Sequence, residues 1–176
     1  MRRAAAALSL AAGAFGPAGA AVETATPDHF AVVHAAEVGR PGAEVYALLA
    51  QPGRWWSPKH TWSGDASNLA LDPVAGGCWC ERWGAGASAQ HARVLKVLPG
   101  RQIVLQAALG PLLSMPVQGV LTLSADEKDG RTTLRIAYEV GGPAALKLDQ
   151  IAPAVDRVLG EQFARLKSTL ETGKPE

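Results

Sequence analysis

The chain alternates apolar segments with polar turns in an order that reads element by element. Residues 30–38 (FAVVHAAEV) form the first apolar run, and Val32 and Val33 favour extended backbone, so it reads as a strand. Gly39-Arg40-Pro41 turns the chain, with Pro41 suited to a helix start. Residues 43–51 then carry Val45, Leu48 and Leu49 at helical spacing, and Pro52-Gly53 ends that helix. Residues 54–67 show no period and read as irregular. Short strands follow at 68–71, 78–83, 89–98, 102–107, 117–124 and 132–140. Asp72-Pro73, residues 84–88, Pro99-Gly100 and residues 126–130 supply the turns between them. The segment from Leu109 to Pro116 (LGPLLSMP) is a loop with unusually apolar content. The last segment is the clearest helix. On a helical wheel Leu148, Val155, Leu159, Leu166 and Leu170 share one narrow arc, flanked by Ile151 and Phe163, with Asp149, Arg157, Glu161, Lys167 and Glu171 away from it. Pro153 is expected in the first turn or at the start of this helix, because an interior proline costs about 3 kcal/mol.

A strand, one or two short helices, a run of strands and a final long helix predict an α+β layer fold with an antiparallel sheet. One helix covers only part of such a sheet. A sheet that curls around it leaves an apolar cavity, a common kind of ligand site. The expected organisation is a flexible stub over 21–28, a single domain over 29–171 and a tail over 172–176.

Composition narrows the class. Hydrophobic residues make up 48% of the 176 residues, which excludes a disordered chain. Lys+Arg 17 against Asp+Glu 16, with 19% charged residues, excludes an electrostatically driven nucleic-acid binder. Two cysteines exclude a disulfide scaffold and a four-cysteine zinc site. The first residues are an address: Met1-Arg2-Arg3, an uncharged apolar run over 4–15, a Gly16-Pro17 break, then Ala18-Gly19-Ala20. This is the three-part pattern of a secretory signal peptide, with cleavage expected after Ala20. The apolar run is too short to span a bilayer as a helix, and no other segment is apolar enough. The expected location is periplasmic or secreted, in an oxidising compartment, with no stable membrane span after cleavage.

Several stretches resemble a known family: Pro52-Gly53-Arg54-Trp55-Trp56, Gly76-Gly77-Cys78-Trp79-Cys80-Glu81, His91-Ala92-Arg93-Val94, Pro99-Gly100-Arg101-Gln102-Ile103-Val104-Leu105 and the tail over 152–170. Together they cover about residues 30–171. The chain resembles the SRPBCC, or START-like, superfamily, which includes polyketide cyclase-like and pollen-allergen-like proteins. Within it, the chain looks most like proteins related to the activator of the ninety-kilodalton heat-shock ATPase. The resemblance implies a helix-grip fold: a seven-stranded antiparallel sheet curled around a long C-terminal helix, enclosing an apolar cavity. The superfamily spans carriers, receptors, cyclases and co-chaperones, so function must be argued from the site.

All five tryptophans lie between Trp55 and Trp83. They read either as the wall of a ligand pocket, with Trp55 and Trp56 among its residues, or as the seal on one end of the core. The segments 78–83 and 89–98 predict a hairpin with its turn centred near Gly86, which places Glu81 opposite His91. Alternation then puts Trp79, Glu81, Trp83 and His91 on one face, the cavity face in the family pattern, and Cys78, Cys80 and Arg82 on the other. A carboxylate beside an imidazole in an apolar cavity serves acid–base catalysis, ligand orientation or a structural bond. The two cysteines read chiefly as small buried thiols. Two residues apart on a strand, a bond between them would be strained, and a soft-metal site or disulfides to other molecules are lesser alternatives. His29, His34 and His60 have no carboxylate in obvious reach, although His60 sits where it could reach a pocket mouth. Gln162 lies inside the apolar arc and is expected to face the cavity.

The leading expectation is a protein that binds a small hydrophobic or amphipathic molecule. Trp79, Trp83, Leu159, Phe163 and Leu166 would supply walls, and Glu81, His91 and Gln162 orientation. A cyclase- or hydratase-like enzyme using Glu81 and His91 is the alternative. A protein-interaction or chaperone-assisting module acting through the Leu109–Pro116 loop is another. No metal or cofactor is assigned.

Overall fold

A computed structural model describes residues 22–175, so the predicted signal peptide and its cleavage point lie outside the described residues. In chain order the elements are β1 (Val22–Thr26), β2 (His29–Val38), α1 (Gly42–Leu49), β3 (Leu69–Leu71), β4 (Cys78–Trp83), β5 (Ala87–Leu98), β6 (Gln102–Ala107), β7 (Gln118–Lys128), β8 (Arg131–Gly141) and α2 (Leu148–Thr172). The strands make one antiparallel sheet in the order β1-β2-β8-β7-β6-β5-β4-β3. Its inner face packs on α2, as the helix-grip expectation requires. Between them lies a core in which Val32, Leu105, Leu121, Leu134, Tyr138, Leu159 and Leu166 are buried.

Eight strands form where seven were expected. The extra one is β1, inside the segment read as a polar stub, and it pairs with the start of β2 across a one-residue irregularity at Glu23. Its Glu23, Thr24, Ala25 and Thr26 are exposed, so no apolar alternation marks it. An edge strand held by backbone bonds to one neighbour needs none. The β7–β8 hairpin also runs further than residues 124 and 132. It closes tightly over Asp129 and Gly130, at φ 53° and 75°. That is the two-residue turn whose twist matches its strands, and Asp-Gly suits its positive φ angles. The charged residues read as a turn lie along the hairpin's solvent-exposed end.

The long helix starts at Leu148 and holds Pro153 inside it, a turn later than predicted. The proline ring is exposed, and it forfeits only the bond its N–H would make to the Asp149 carbonyl. Further along, Gly160 lets the sheet come close: a Cβ there would lie 3.2 Å from His34 Cε1. His34 stacks on Phe163 and its Nε2 sits 3.0 Å from Asp156 Oδ1 on α2. The expectation that His34 has no carboxylate in reach is therefore corrected. The two residues are far apart in sequence, and the β2–α2 packing joins them.

The cysteine expectation is corrected too. Cys78 and Cys80 are joined by a disulfide, and both are partly exposed on the outer face of β4. Their Cα atoms are 5.3 Å apart, inside the range a disulfide bridges. The regular spacing assumed for the strand does not hold over this pair.

Candidate functional site

Ile151, Val155 and Val158 follow one another at helical spacing on the first half of α2, with Ala154 and Leu159 beside them. They form one side of a cleft of about 500 Å³. The other sides are the loop carrying Trp56 and residues 59–62, and the loop carrying residues 109–112 and Met115. The lining is aliphatic and aromatic apart from Lys59, His60 and Thr61 along one edge. Trp62 is 49% and Leu113 40% exposed, so large apolar side chains meet water beside this opening.

Buried polar side chains hold the two loops in place. The Gln162 side-chain carbonyl accepts the Ser57 backbone N–H at 2.6 Å, while its amide donates to the Val158 carbonyl at 3.2 Å. Further along the same loop, the backbone N–H groups of Trp62 and Ser63 donate to the Glu81 carboxylate at 3.0 Å and 2.6 Å. His91 donates to the same carboxylate through Nε2 at 2.8 Å. The loop is thus fastened to α2 at one end and to β4 at the other. Between these points the Trp56 indole donates to the His60 carbonyl, and the His60 ring meets Glu161 at 3.0 Å. His60 therefore also has a carboxylate in reach. Ser57 and His60 hold the Glu161 carboxyl below the ordinary glutamate value, against a desolvation that raises it. The second loop hangs from Tyr138, whose hydroxyl accepts the Leu109 N–H and donates to the Ala107 carbonyl, each at 3.2 Å. Burial pushes the Tyr138 hydroxyl up to about 12, so it stays protonated and able to donate. Replacing Tyr138 by Phe is expected to cost about 1–3 kcal/mol, the penalty for stranding buried polar groups. It should also speed hydrogen exchange at Leu109, and unchanged exchange there would refute this anchoring role.

Glu81 is fully buried. Desolvation raises its proton affinity, but the Ser63, Trp62 and His91 donors outweigh it and leave the carboxyl below the ordinary value. It is an ionised anchor whose lone pairs point at its own loop and at His91.

The structure brings Glu81 and His91 together by a route the hairpin prediction missed. The turn is centred on Ala85, not near Gly86, and Glu81 pairs with Ala89. Opposite Trp79 and Cys80 the register slips, because β5 carries one extra residue, His91. That bulge turns both His91 and Ala92 inward. His91 then reaches diagonally to Glu81.

Of the ten predicted binding residues, Trp56 and Leu159 line the cleft. Trp55, Trp79, Glu81, His91, Gln162, Phe163 and Leu166 are buried behind it, and Trp83 is partly exposed at the far end of β4. The indoles form a cluster in which ring centroids of Trp55, Trp56 and Trp79 lie 5.1–6.2 Å apart, edge to face. Trp55 spends its N–H on the Leu48 carbonyl, and Arg165 fixes the Trp55 carbonyl at 3.0 Å. Phe163 and Leu166 are buried in the core between α2 and the sheet. Lys59, Ile151, Ala154, Val155 and Val158 were not foreseen as lining residues. The available signal was the apolar loop at 109–116, which must face something apolar across the start of α2.

No family model matches the chain, and no curated protein matches it significantly. Solved structures do. A protein from Arthrobacter aurescens determined in solution has a TM-score of 0.59 at 14% identity, covering 88% of this chain and 94% of that one. The Aha1 dimer from Colwellia psychrerythraea has a TM-score of 0.55 at 16% identity, covering 82% and 98%. DynU16, a protein of the dynemicin biosynthetic locus, has a TM-score of 0.53 at 20% identity, covering 82% of this chain and 48% of that one. What is shared at these identities is the fold, an α+β architecture with an antiparallel sheet gripping a long C-terminal helix.

Proposed function

We propose that this domain binds a small, largely apolar molecule in the cleft between the first half of α2 and the two anchored loops. The carrying observation is the cleft itself: about 500 Å³, lined mainly by apolar side chains, with polar groups confined to one edge. Its size falls within the usual range of small-molecule sites. Burial of ligand area against Trp56, Val155, Val158, Leu159 and Met115 would supply the affinity, and Lys59, His60 and Thr61 the orientation. Because both loops are tied down by buried hydrogen bonds, little ordering cost falls on binding.

The acid–base alternative draws no support from the positions of Glu81 and His91. Both are buried off the cleft, and the carboxylate is committed to its loop. We further propose that the protein acts in the periplasm or outside the cell, since the three-part pattern at residues 1–20 is that of an export signal.

Native mass spectrometry of the gently purified protein tests the binding reading, alongside titration with the fluorophore 1-anilinonaphthalene-8-sulfonate. Expected are an extra mass lost on denaturation or a saturable one-site fluorescence rise, with quenching of tryptophan emission. A bare mass together with no saturable dye binding would overturn the reading and favour a protein partner at the Leu109–Pro116 loop.

A further inference from the structure

Cys78 and Cys80 take no part in the cleft. They flank Trp79 on β4, and since alternate strand residues share a face, both point away from α2 to the outer side of the sheet. Both are partly exposed. On that side β4 is bordered by β3, a three-residue strand at the edge of the sheet. The Cα atoms of the pair are 5.3 Å apart, where two extended residues would span about 6.8 Å. This contraction falls where β5 carries its bulge. Arg93 is the ladder partner of Cys78, so its exposed side chain leaves the same face beside that cysteine.

A disulfide here does little for stability. In the chain-entropy account the gain grows with the length of the closed loop, and these cysteines are two residues apart on a strand already held on both sides. The bond is accessible to an attacking thiolate, and a neighbouring cation stabilises a cysteine thiolate.

We propose that Cys78 and Cys80 form a thiol–disulfide exchange site whose co-reactant is a thiol, free or on another protein. The co-reactant's thiolate attacks Cys80 Sγ. The bond between the two cysteines breaks, a mixed disulfide forms on Cys80, and Cys78 leaves as a thiolate beside Arg93. A second co-reactant thiolate then attacks the co-reactant sulfur of the mixed disulfide and frees Cys80. Two thiols become one disulfide, the pair is reduced to two thiols, and the two protons pass from co-reactant to protein. The reverse sequence oxidises the pair.

The test equilibrates the full folded chain with mixtures of reduced and oxidised glutathione, quenches with an alkylating agent and reads the alkylated fraction by mass. Expected is reversible opening in native buffer at millimolar reduced glutathione, without unfolding. In the single variant Cys78→Ser, oxidised glutathione should form a stable mixed disulfide on Cys80. Arg93→Gln should slow opening at least several-fold with the unfolding midpoint unchanged. A pair that stays closed in native buffer and opens only in denaturant would overturn the proposal, as would two thiols that oxidised glutathione fails to close. An unchanged rate in Arg93→Gln would remove Arg93 from it.

Discussion

Replacing Glu81 by Gln should destabilise the protein by about 3 kcal/mol at neutral pH, the upper end of the cost of stranding buried donors, because the lost acceptor is ionised. The amide keeps one acceptor but turns an NH2 group toward donors, and His91 loses its carboxylate. Trp62 and Ser63 then have no ionised acceptor, so the loop over the cleft should loosen first. Urea unfolding measures the first effect, and hydrogen exchange at residues 62 and 63 the second. The pH dependence carries a sign. The folded Glu81 carboxyl lies below its ordinary value of 4.5, so ionised Glu81 stabilises the fold fully above that value. That stabilisation is lost as pH falls through the lowered folded value. The gap between wild type and variant should therefore be full at neutral pH and shrink below about pH 4.5. Equal midpoints at neutral pH, or a gap unchanged in acid, would remove Glu81 from the role of ionised anchor.

Replacing Ala154 by Trp should abolish binding in the cleft while leaving the fold intact. Ala154 lines the cleft from α2 and is exposed, so an indole there fills the space meant for a ligand without entering the core. Affinity for the dye, or for any co-purifying compound, should fall at least tenfold, about 1.4 kcal/mol. The unfolding midpoint should barely move. Ala164→Trp is the control, since Ala164 is exposed on the same helix outside the cleft lining. If both variants bind like wild type, the ligand sits elsewhere. If both lose binding equally, helix disturbance and not cleft filling is the cause.

Much of this is visible in particular residues before any tertiary structure. The stripe Leu148, Val155, Leu159, Leu166 and Leu170 marks the gripped helix, because a 3.6-residue period of apolar side chains demands an apolar surface opposite. The strands 78–83 and 102–107 coincide with β4 and β6, bounded by glycine and proline turns. Strand β1 is not visible, since four of its five side chains are exposed and only backbone bonds to β2 and the packing of Val22 hold it.

The candidate site divides along the same line. The chain's own periodicity determines an antiparallel α+β layer fold with one long amphipathic helix and places Gln162 in that helix's apolar arc, while the resemblance implies that the sheet grips the helix and that the face carrying Glu81 is the inner one. What these polar groups face is decided by tertiary structure alone. A bulge at His91 and a turn centred on Ala85 set the diagonal contact with Glu81, and a one-residue change in either would redirect it. Close packing brings Gln162 to Ser57, His60 to Glu161 and Tyr138 to Leu109, pairs joined only through space. Local patterning specifies which residues leave water, because burial of apolar area is additive along the chain. It does not specify which buried donor meets which acceptor, because that depends on distances of a few tenths of an ångström between elements remote in sequence. So the polar residues expected to touch a ligand hold the loops that shape the cleft, and its walls come from the apolar residues of those loops and of α2.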